Sequence, residues 1–513
     1  MANQPVDKFD STTTTPRLSM DGRNNHTEPI GPNTEKELTP SLPSSHDNDN
    51  DNDLESAQNQ PEPEKPTEKD PNLVEWDGPD DPENPQNFSR IRKWVITVVM
   101  SSMTMWITFA SSVFSTATLV TAKEFNVSTE VMILGTSLTV FGFALGPLFW
   151  APLSELYGRR LPLFSGYAIF AIFQIPVAVA QNIETIMICR FLQGVFGCSP
   201  LAVVGGAMAD IWDPVDRAVA IAMFSAATFL GPTLGPIIGG FVTDSYLGWR
   251  WTAWLTLIAS SFFGLLALII VPETYSPKLL QMRAARLRRE TRNWALHSFL
   301  DEHEPSMSDI VYKYLLRPFQ MLAMEPILIC ITIYLALVYG ILYLFFEAYP
   351  VSFSEVRGWK SEGVAALPFI GIMIGVLCGV TLIVYTTKTR FARKLKKHGR
   401  VVPEERLVPM MIASVLLPIG LFWFGWTSSP NGLNYIIDVY MMYANSAIAA
   451  NTLIRSTLGG AFPLFATQMY HKLGVNWASS VLGFITIAMI PIPILFFFYG
   501  AKIRAMSRFT PKF

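Results

Sequence analysis

Half of the 513 residues are apolar and the mean hydropathy is +0.31, with the apolar residues grouped in blocks of about 20, the length that crosses a bilayer. This composition excludes an ordinary soluble enzyme and predicts an all-α polytopic membrane protein. The net charge of −2 hides an uneven distribution, because residues 1–90 hold 20 acids against 7 bases and the remainder holds 21 against 32.

The N-terminal tail, residues 1–90, is polar, rich in proline and contains an alternating run of Asp and Asn at 47–53. Such a segment buries too little apolar surface to offset the entropy of ordering, so we predict a disordered tail. No apolar signal-peptide core lies in the first 30 residues. We therefore expect the first span to direct membrane insertion and the tail to stay cytosolic.

Two groups of apolar blocks follow the tail. The first group predicts six spans, at 94–120, 131–153, 161–180, 183–209, 218–243 and 251–271. The second group predicts five more, at 324–350, 364–387, 408–427, 444–469 and 478–500. The chain thus divides into a bundle at 91–275, a basic cytosolic loop at 276–323, a second bundle at 324–508 and a cytosolic end at 509–513.

Lysine and arginine are concentrated in the loop 276–323, at 388–400 and after residue 500. The excess of positive charge on cytosolic loops places all three in the cytosol, with the N-terminus. An even number of crossings must then separate residue 400 from the C-terminus, yet three full blocks are present. The apolar segment 432–443 is only about 18 Å long as a helix, so we interpret it as a truncated tenth span.

We expect residues 432–470 to form two short helices that reverse near 451–455, which keeps the C-terminus cytosolic. The alternative leaves 432–443 at the membrane surface and sends a single helix across. A real deletion and an incorrectly spliced gene would both explain the missing residues.

The sequence lacks the motifs that usually mark metal sites, membrane di-iron enzymes and phosphate-binding loops. The four cysteines lie in apolar segments without metal-ligand spacing, which favours buried, unreactive thiols. No paired histidines of a membrane di-iron enzyme occur, and neither does the Gly-Lys dipeptide of a phosphate-binding loop. We therefore predict no enzymatic activity, no cofactor, no metal and no nucleic-acid partner.

The loop between the second and third predicted spans contains Glu155, Gly158, Arg159 and Arg160. An acid here can accept hydrogen bonds from an arginine or from a helix N-terminus in one conformation and lose them in another. We interpret these residues as a conformational latch. The alternative is a tight loop whose charges only set the topology.

Ionisable residues within the spans are few. Arg190 lies in the fourth span, where a guanidinium is costly and is rarely kept without a function, although near the start of a span it can extend to the interface. Proton exchange needs a titratable group, and intramembrane carboxylates are the usual choice. Glu347 is the first candidate, ahead of Asp210 and Asp438, and the alternative is a solvated residue at the membrane interface.

Residues 231–240 read GPTLGPIIGG inside an apolar block. Membrane helices tolerate such glycines and prolines where a neighbouring helix approaches closely. We therefore predict a close helix contact, and the alternative is a packing face unrelated to the direction of transport. The motif residues are Gly231, Pro232, Gly235, Pro236, Gly239 and Gly240.

This decamer resembles the antiporter signature of exporters of the major facilitator superfamily. The loop at 146–160 resembles the cytosolic loop signature of that superfamily, with Ala151 where glycine is usual and Leu156 where a base is usual. Segments 74–89, 109–118, 272–288, 325–350 and 451–470 resemble the fungal drug:H+ antiporters with twelve spans. The resemblance extends over roughly residues 74–508 and leaves the region after Ser429 some 25 to 30 residues short.

The resemblance implies two six-helix bundles, the second with its tenth span truncated, that rock about a central site. It also implies proton-coupled export of drugs, polyamines or secondary metabolites such as polyketide toxins from the fungal cell, and an influence of Arg190 on the pKa of a nearby acid. The expected partners are protons, a small-molecule substrate and the lipid bilayer, and the expected state is a monomer. A transport-dead sensor or scaffold is the alternative function.

The predicted topology and function also indicate a glycosylation site and a set of residues that could line the substrate cavity. Asn126, in Asn-Val-Ser, is the expected glycosylation site, because Asn25 and Asn87 lie in the tail. Aromatic and amide side chains suit a cavity for planar compounds, with ordinary interhelical packing as the alternative for each. The cavity candidates are Phe109, Phe114, Gln193, Tyr343, Phe346 and Tyr349.

Overall fold

The computed structural model describes residues 70–302, 312, 316–350, 353–354, 358–399, 403–422 and 444–505. The chain divides into two units, Met1–Glu68 and Lys69–Phe513, and every helix below belongs to the second. The tail up to residue 69, Asp438 and the segment 432–443 lie outside the described residues. In the described ranges the regular elements are helical, apart from an isolated β-bridge between Leu73 and His297.

The first half contains the six predicted spans. Its helices are α1 (Arg90–Ser112), continued by a 3-10 turn (Val113–Ala117) into α2 (Thr118–Glu124), α3 (Thr129–Leu156), α4 (Arg160–Ala178), α5 (Ile183–Ile211), α6 (Pro214–Asp244) and α7 (Arg250–Ile270). Ser128 and Asn182 begin α3 and α5, because each side chain accepts a hydrogen bond from a backbone amide of the first turn. All six spans are long and apolar enough to cross a bilayer.

The second half begins after a polar connection with two short helices, α8 (Ser276–Thr291) and α9 (Phe299–Glu302). Three of its stretches, Pro326–Tyr349, Glu362–Lys397 and Trp477–Gly500, are apolar and long enough to cross a bilayer. The helices are α10 (Arg317–Met324), α11 (Pro326–Tyr349), α12 (Glu362–Ala365), α13 (Phe369–Thr386), α14 (Ala392–His398), α15 (Val408–Phe422), α16 (Ala444–Met489) and α17 (Pro491–Ala505).

The expected reversal near residues 451–455 is wrong. Helix α16 runs without interruption for 46 residues, about 69 Å at 1.5 Å per residue. No glycine or proline interrupts 451–455, and Asn451 donates to Thr332 Oγ1 of α11 at 3.3 Å, which holds this stretch against α11. The predicted spans at 444–469 and 478–500 are therefore joined, and the helix ends before Pro491, which lacks an amide hydrogen.

Among the described residues, the two largest hydrophobic clusters hold most of the helices together. One lies within the first half and includes Met103 and Phe170. The larger core surrounds α11, and it also takes in Val140, Ala226 and Phe229 from α3 and α6. The two halves therefore share a core along α11.

The outer helices expose apolar side chains. On α7, Phe262 is 62% exposed and Ile269 is 84% exposed. A face of this kind contacts lipid tails when the helix spans a bilayer. Cys378 on α13 is also exposed, so the prediction of four buried thiols is wrong for this residue.

The segment that precedes the first span, residues 70–88, is joined to α8 by ion pairs. Arg283 pairs with Asp77, and its Nη1 donates to Asp81 Oδ2 at 2.5 Å. Asp81 also accepts from the backbone amides of Asp77 and Glu83. The hydrogen bond from Arg283, followed by those from the two amides, lowers the pKa of Asp81 to about 2.

Candidate functional site

Helix α6 packs against α1 through the glycines of the decamer. A Cβ atom on Gly231 would lie 2.1 Å from Thr108 Oγ1, and a Cβ atom on Gly235 would lie 2.0 Å from Ser112 Oγ. A Cβ atom on Gly239 would lie 2.7 Å from a backbone carbonyl oxygen of the 3-10 turn. The motif therefore lies at a close helix contact, and its relation to the direction of transport stays a prediction.

The last turn of α6 contacts the second half of the molecule. A Cβ atom on Gly240 would lie 2.6 Å from the Cα atom of Gly363 in α12. Asp244 Oδ2 accepts from Ser361 Oγ at 2.6 Å and from the amide of Gly363 at 3.2 Å. This α6–α12 contact joins the two halves at the end of α6 that the charge distribution predicts to be external. Pro232 and Pro236 are buried further back in α6.

The predicted latch contains a hydrogen-bonded arginine. Arg159 Nε donates to Asp210 Oδ2 at 3.0 Å, Nη1 donates to Ser154 Oγ at 3.0 Å, and the guanidinium lies 4.6 Å from the Tyr275 ring centroid. Glu155 contributes its charge near Arg159, but Asp210 is the carboxylate that hydrogen-bonds the Arg159 side chain. The structure therefore brings a candidate for proton coupling, Asp210, into the latch.

Glu273 is part of this cluster and was missed by the sequence reasoning. Its Oε1 accepts from the amide of Arg159 at 2.9 Å and its Oε2 accepts from the amide of Arg160 at 3.0 Å. A carboxylate at a helix N-terminus is stabilised by the free amides and by the helix dipole. Gly158 has φ +89° and a Cβ atom there would lie 2.5 Å from Glu273 Oε2, so this turn requires glycine.

Arg190 is 2% exposed and lies inside the first bundle. Its Nε donates to the carbonyl oxygen of Gly135 at 2.6 Å, and Nη2 donates to those of Ala110 and Ser111 at 3.2 and 3.1 Å. The guanidinium also lies 4.5 Å from the Phe114 ring centroid. Backbone carbonyls thus satisfy this buried cation, and no carboxylate among the described residues lies within ion-pair distance of it.

A chain of hydroxyl groups connects the two halves next to Arg190. Ser111 Oγ of α1 and Tyr343 Oη of α11 lie 2.7 Å apart, and Tyr339 Oη donates to Tyr343 Oη at 3.3 Å. At the far end, the guanidinium of Arg455 on α16 lies 4.8 Å from the Tyr339 ring centroid. The sequence singled out Tyr343, whereas it gave no reason to expect Tyr339 and Arg455 as its neighbours.

Glu347 is 8% exposed, and its Oε1 has no hydrogen-bond partner among the described residues. It follows Tyr343 by four residues and Tyr339 by eight, so the three share one face of α11. A carboxyl group with a free oxygen therefore lies beside the hydroxyl chain on the helix that both halves contact.

The other cavity candidates are also enclosed. Phe109, Phe346 and Tyr349 are each 1% exposed, and Phe346 makes an edge contact with Tyr343 at 5.0 Å between ring centroids. Gln193 is completely buried, and both atoms of its amide group lack hydrogen-bond partners among the described residues. Their contact with a substrate stays a prediction.

Asn126 lies in the exposed loop between α2 and α3 with φ 54°. Asparagine tolerates this left-handed conformation better than most residues. The position is compatible with modification from solvent, and glycosylation stays a prediction.

Among the described residues, Asp70, His297 and Glu302 form one group that could hold a metal ion. His297 Nδ1 lies 2.8 Å from the carbonyl oxygen of Ala295, and Nε2 lies 2.8 Å from Glu302 Oε1. The hydrogen bond to Ala295, together with that to Glu302, raises the pKa of His297. The contacts of His297 with Ala295 and Glu302 account for this surface group, and we assign it no metal.

Two fungal relatives match almost the whole chain. The citrinin biosynthesis cluster MFS transporter mrr1 of Monascus ruber is 62% identical over 472 residues, which cover 88% of this chain and 94% of the relative. The ascochitine biosynthesis cluster MFS transporter of Didymella fabae is 58% identical over 466 residues, which cover 86% and 90%. Because 472 exceeds 88% of 513, the Monascus alignment includes positions with no counterpart in this chain, and their placement after Ser429 stays a prediction.

A solved structure and a family model complete the comparison. The proton:xylose symporter XylE, bound to 6-bromo-6-deoxy-D-glucose, has a TM-score of 0.52 at 15% identity, covers 81% of this chain and 96% of its own, and shows the fold alone. The model of the Major Facilitator Superfamily matches residues 95–497. The resemblance carried by the motifs is thereby confirmed, and the chain belongs to the Major Facilitator Superfamily of membrane transporters, not to a family of enzymes.

Proposed function

We propose that this chain exports small amphipathic or aromatic secondary metabolites across the fungal plasma membrane in exchange for protons. The observation that carries the proposal is Glu347, a buried carboxyl group on the face of α11 that meets the first bundle, with one oxygen that no described residue contacts by a hydrogen bond. An antiporter needs a group that holds either a proton or a favourable contact with its substrate, and a carboxyl group at the bundle interface meets this requirement.

The substrate class is supported by the names of the relatives. Those proteins are named for the biosynthesis clusters of citrinin and ascochitine, and we extend to this chain the role of moving a product of such a cluster. The aromatic rings of Tyr343, Phe346 and Tyr349 suit a planar compound.

Alternating access supplies the mechanism. Opening on the external side separates Asp244 from Ser361 and Gly240 from Gly363 in the α6–α12 contact. Opening on the cytosolic side alters the latch around Arg159, where the Asp210 ion pair can break and reform. Uptake of a proton by Glu347 from the acidic exterior favours release of the substrate there, and loss of the proton to the cytosol resets the carrier.

The test uses the purified full chain in proteoliposomes with an imposed pH gradient and a fluorescent aromatic substrate. We expect Glu347→Gln to lower gradient-driven transport by about tenfold or more, because it removes the titratable group at nearly constant size. Glu184→Gln, at the exposed start of α5, is the matched control and should retain the wild-type rate. Gradient-driven transport by Glu347→Gln at the wild-type rate would remove Glu347 from the mechanism.

A transport-dead sensor or scaffold is the second candidate, because a second bundle with the truncated tenth span that the sequence predicts would transport poorly. The two functions differ in their dependence on the proton gradient. An uncoupler should abolish export of the substrate, whereas a sensor should respond to it unchanged.

A further inference from the structure

Arg455 is a guanidinium for which the described part of the chain provides a ring contact but no hydrogen-bond acceptor. It is half-buried on α16, its Nε atom is enclosed, and among the described residues it makes no hydrogen bond or ion pair. Its one contact of note is with the face of the Tyr339 ring, 4.8 Å from the ring centroid. A cation–π contact compensates only part of the cost of removing a guanidinium from water.

Arg190 shows how the same fold satisfies the hydrogen-bond donors of a fully buried guanidinium. That guanidinium donates to three backbone carbonyl oxygens and also lies over an aromatic ring. Arg455 also lies over an aromatic ring, that of Tyr339, but its enclosed Nε atom donates to no carbonyl oxygen of the described residues. The enclosed Nε donor of this half-buried cation has no acceptor among the described residues, which raises the free energy of the empty protein and favours the binding of an anion.

The neighbours of Arg455 can complete such a site. Tyr339 and Tyr343 carry hydroxyl groups 3.3 Å apart, and each can rotate its hydrogen towards an incoming acceptor. Phe229 of α6 meets the Tyr339 ring edge-on at 6.4 Å between centroids, and Phe346 meets the Tyr343 ring at 5.0 Å. Charge, hydroxyl donors and aromatic surfaces therefore lie together at the boundary between the bundles.

We propose that Arg455 and the hydroxyl groups of Tyr339 and Tyr343 bind the carboxylate of an aromatic substrate, so that the exported compounds are organic anions. The identification of this ligand as the exported substrate rests on the proposed function. Polyamines, another substrate class of the resembled family, are repelled by Arg455 and Arg190 and do not fit this site.

The test measures binding to the purified full chain in lipid nanodiscs without a pH gradient. The probes are 2-naphthoate and 2-naphthamide, which have the same ring system and differ in charge, and their affinities are read from tryptophan fluorescence. We expect wild-type protein to bind naphthoate about tenfold more tightly than naphthamide, the ratio that one charge-assisted contact produces.

The variant Arg455→Gln should lose most of this ratio, and Arg455→Lys should keep part of it because the charge remains. The control is Arg92→Gln, which removes an exposed guanidinium that also lies over a ring, 4.0 Å from the Phe88 centroid, and should leave the ratio unchanged. Tyr339→Phe keeps the ring and should lower the ratio severalfold, which provides a second reading if Arg455→Gln fails to fold.

Equal affinities of the two probes in the wild type, no binding of naphthoate, or an unchanged ratio in Arg455→Gln would each overturn the proposal. A different result would reject the proposed function while leaving the anion site in place. If naphthoate binds selectively through Arg455 but is not driven across the membrane by a pH gradient, the anion site stands and proton-coupled export is rejected.

Discussion

Helices α6 and α11 are both buried, but they pack in opposite ways. The decamer of α6 places glycines against the backbone and hydroxyl groups of α1, with no room for a Cβ atom. Helix α11 places large rings and hydroxyl groups against both halves of the molecule, and its Glu347 carries a free polar atom. Close backbone packing has few alternative arrangements, whereas side chains that meet through rings and hydroxyls can rotate and exchange partners.

This difference assigns different tasks to the two helices. The α1–α6 contact lies within the first bundle, and in the proposed mechanism it stays intact while the bundles move. The contact of Tyr343 with Ser111 lies between the bundles, and in the proposed mechanism it breaks when the central site opens. We therefore expect substitutions in α6 to damage the fold and substitutions on α11 to change the transport cycle.

The largest effect is expected for Gly235→Leu. A Cβ atom at Gly235 would lie 2.0 Å from Ser112 Oγ and 2.9 Å from the amide nitrogen of Val113, so the helices must separate at a cost of several kcal/mol, above the ~1–3 kcal/mol typical of overpacking. Little folded protein should appear in a fluorescence-detected size-exclusion profile. Gly205→Leu is the control, because nothing lies within 4 Å of a Cβ atom there. Normal folding and transport by Gly235→Leu would show that the α1–α6 contact is not fixed.

A smaller effect is expected for Tyr343→Phe, which removes the hydroxyl group between Ser111 and Tyr339. The loss of hydrogen bonding should cost about 1 kcal/mol and leave the melting temperature of the detergent-solubilised protein within a few degrees of the wild type. Because these bonds join the bundles, the transport rate should change severalfold. Tyr334→Phe, on the same helix without a described hydroxyl contact, should change neither quantity. Equal transport rates in Tyr343→Phe and Tyr334→Phe would show that the hydroxyl chain has no role in transport.

The sequence predicted the helices well and their side-chain contacts less completely. Apolar blocks gave the six spans of the first half, because bilayer thickness fixes the length of a spanning helix. The decamer predicted a close helix contact, since few other environments tolerate its glycines. Glu273, by contrast, hydrogen-bonds an amide 113 residues away, and no local pattern encodes that distance.

The sequence predicted only part of the candidate site, because some of its residues come together only through long-range contacts. Glu347 and Arg190 could be found because charges are rare in apolar blocks. Arg455 could not be identified as a site residue from the sequence, because it lies in a segment of mixed polarity. Its contact with Tyr339 and its unsatisfied Nε atom are evident only from the structure of the described residues. The predicted reversal in α16 relied on counting crossings by charge, and it neglected that 451–455 contains no residue that ends a helix.

The smallest effect is expected at the ion pairs between residues 70–88 and α8, outside the apolar layer. Arg283 and Asp81 join the pre-span segment to α8 and not one bundle to the other, so Asp81→Asn should reduce transport less than twofold while increasing hydrogen exchange in the pre-span segment. The folded-state pKa of Asp81, about 2, lies below its ordinary value of 3.8. The carboxylate therefore stabilises this contact above pH 4, and its contribution is lost only as the pH falls through about 2.

Between pH 7 and pH 5, the exchange of this segment in the wild type should thus show no step that depends on Asp81, whereas Asp81→Asn should exchange faster at both values. Asp80→Asn changes the neighbouring exposed residue in the same way and should match the wild type. A loss of transport in Asp81→Asn as severe as that in Gly235→Leu would mean that the ion pairs between residues 70–88 and α8, like the α1–α6 contact, must stay intact during transport. Unchanged exchange would mean that Arg283 holds the segment through its other carboxylate partners, Asp77 and Glu83.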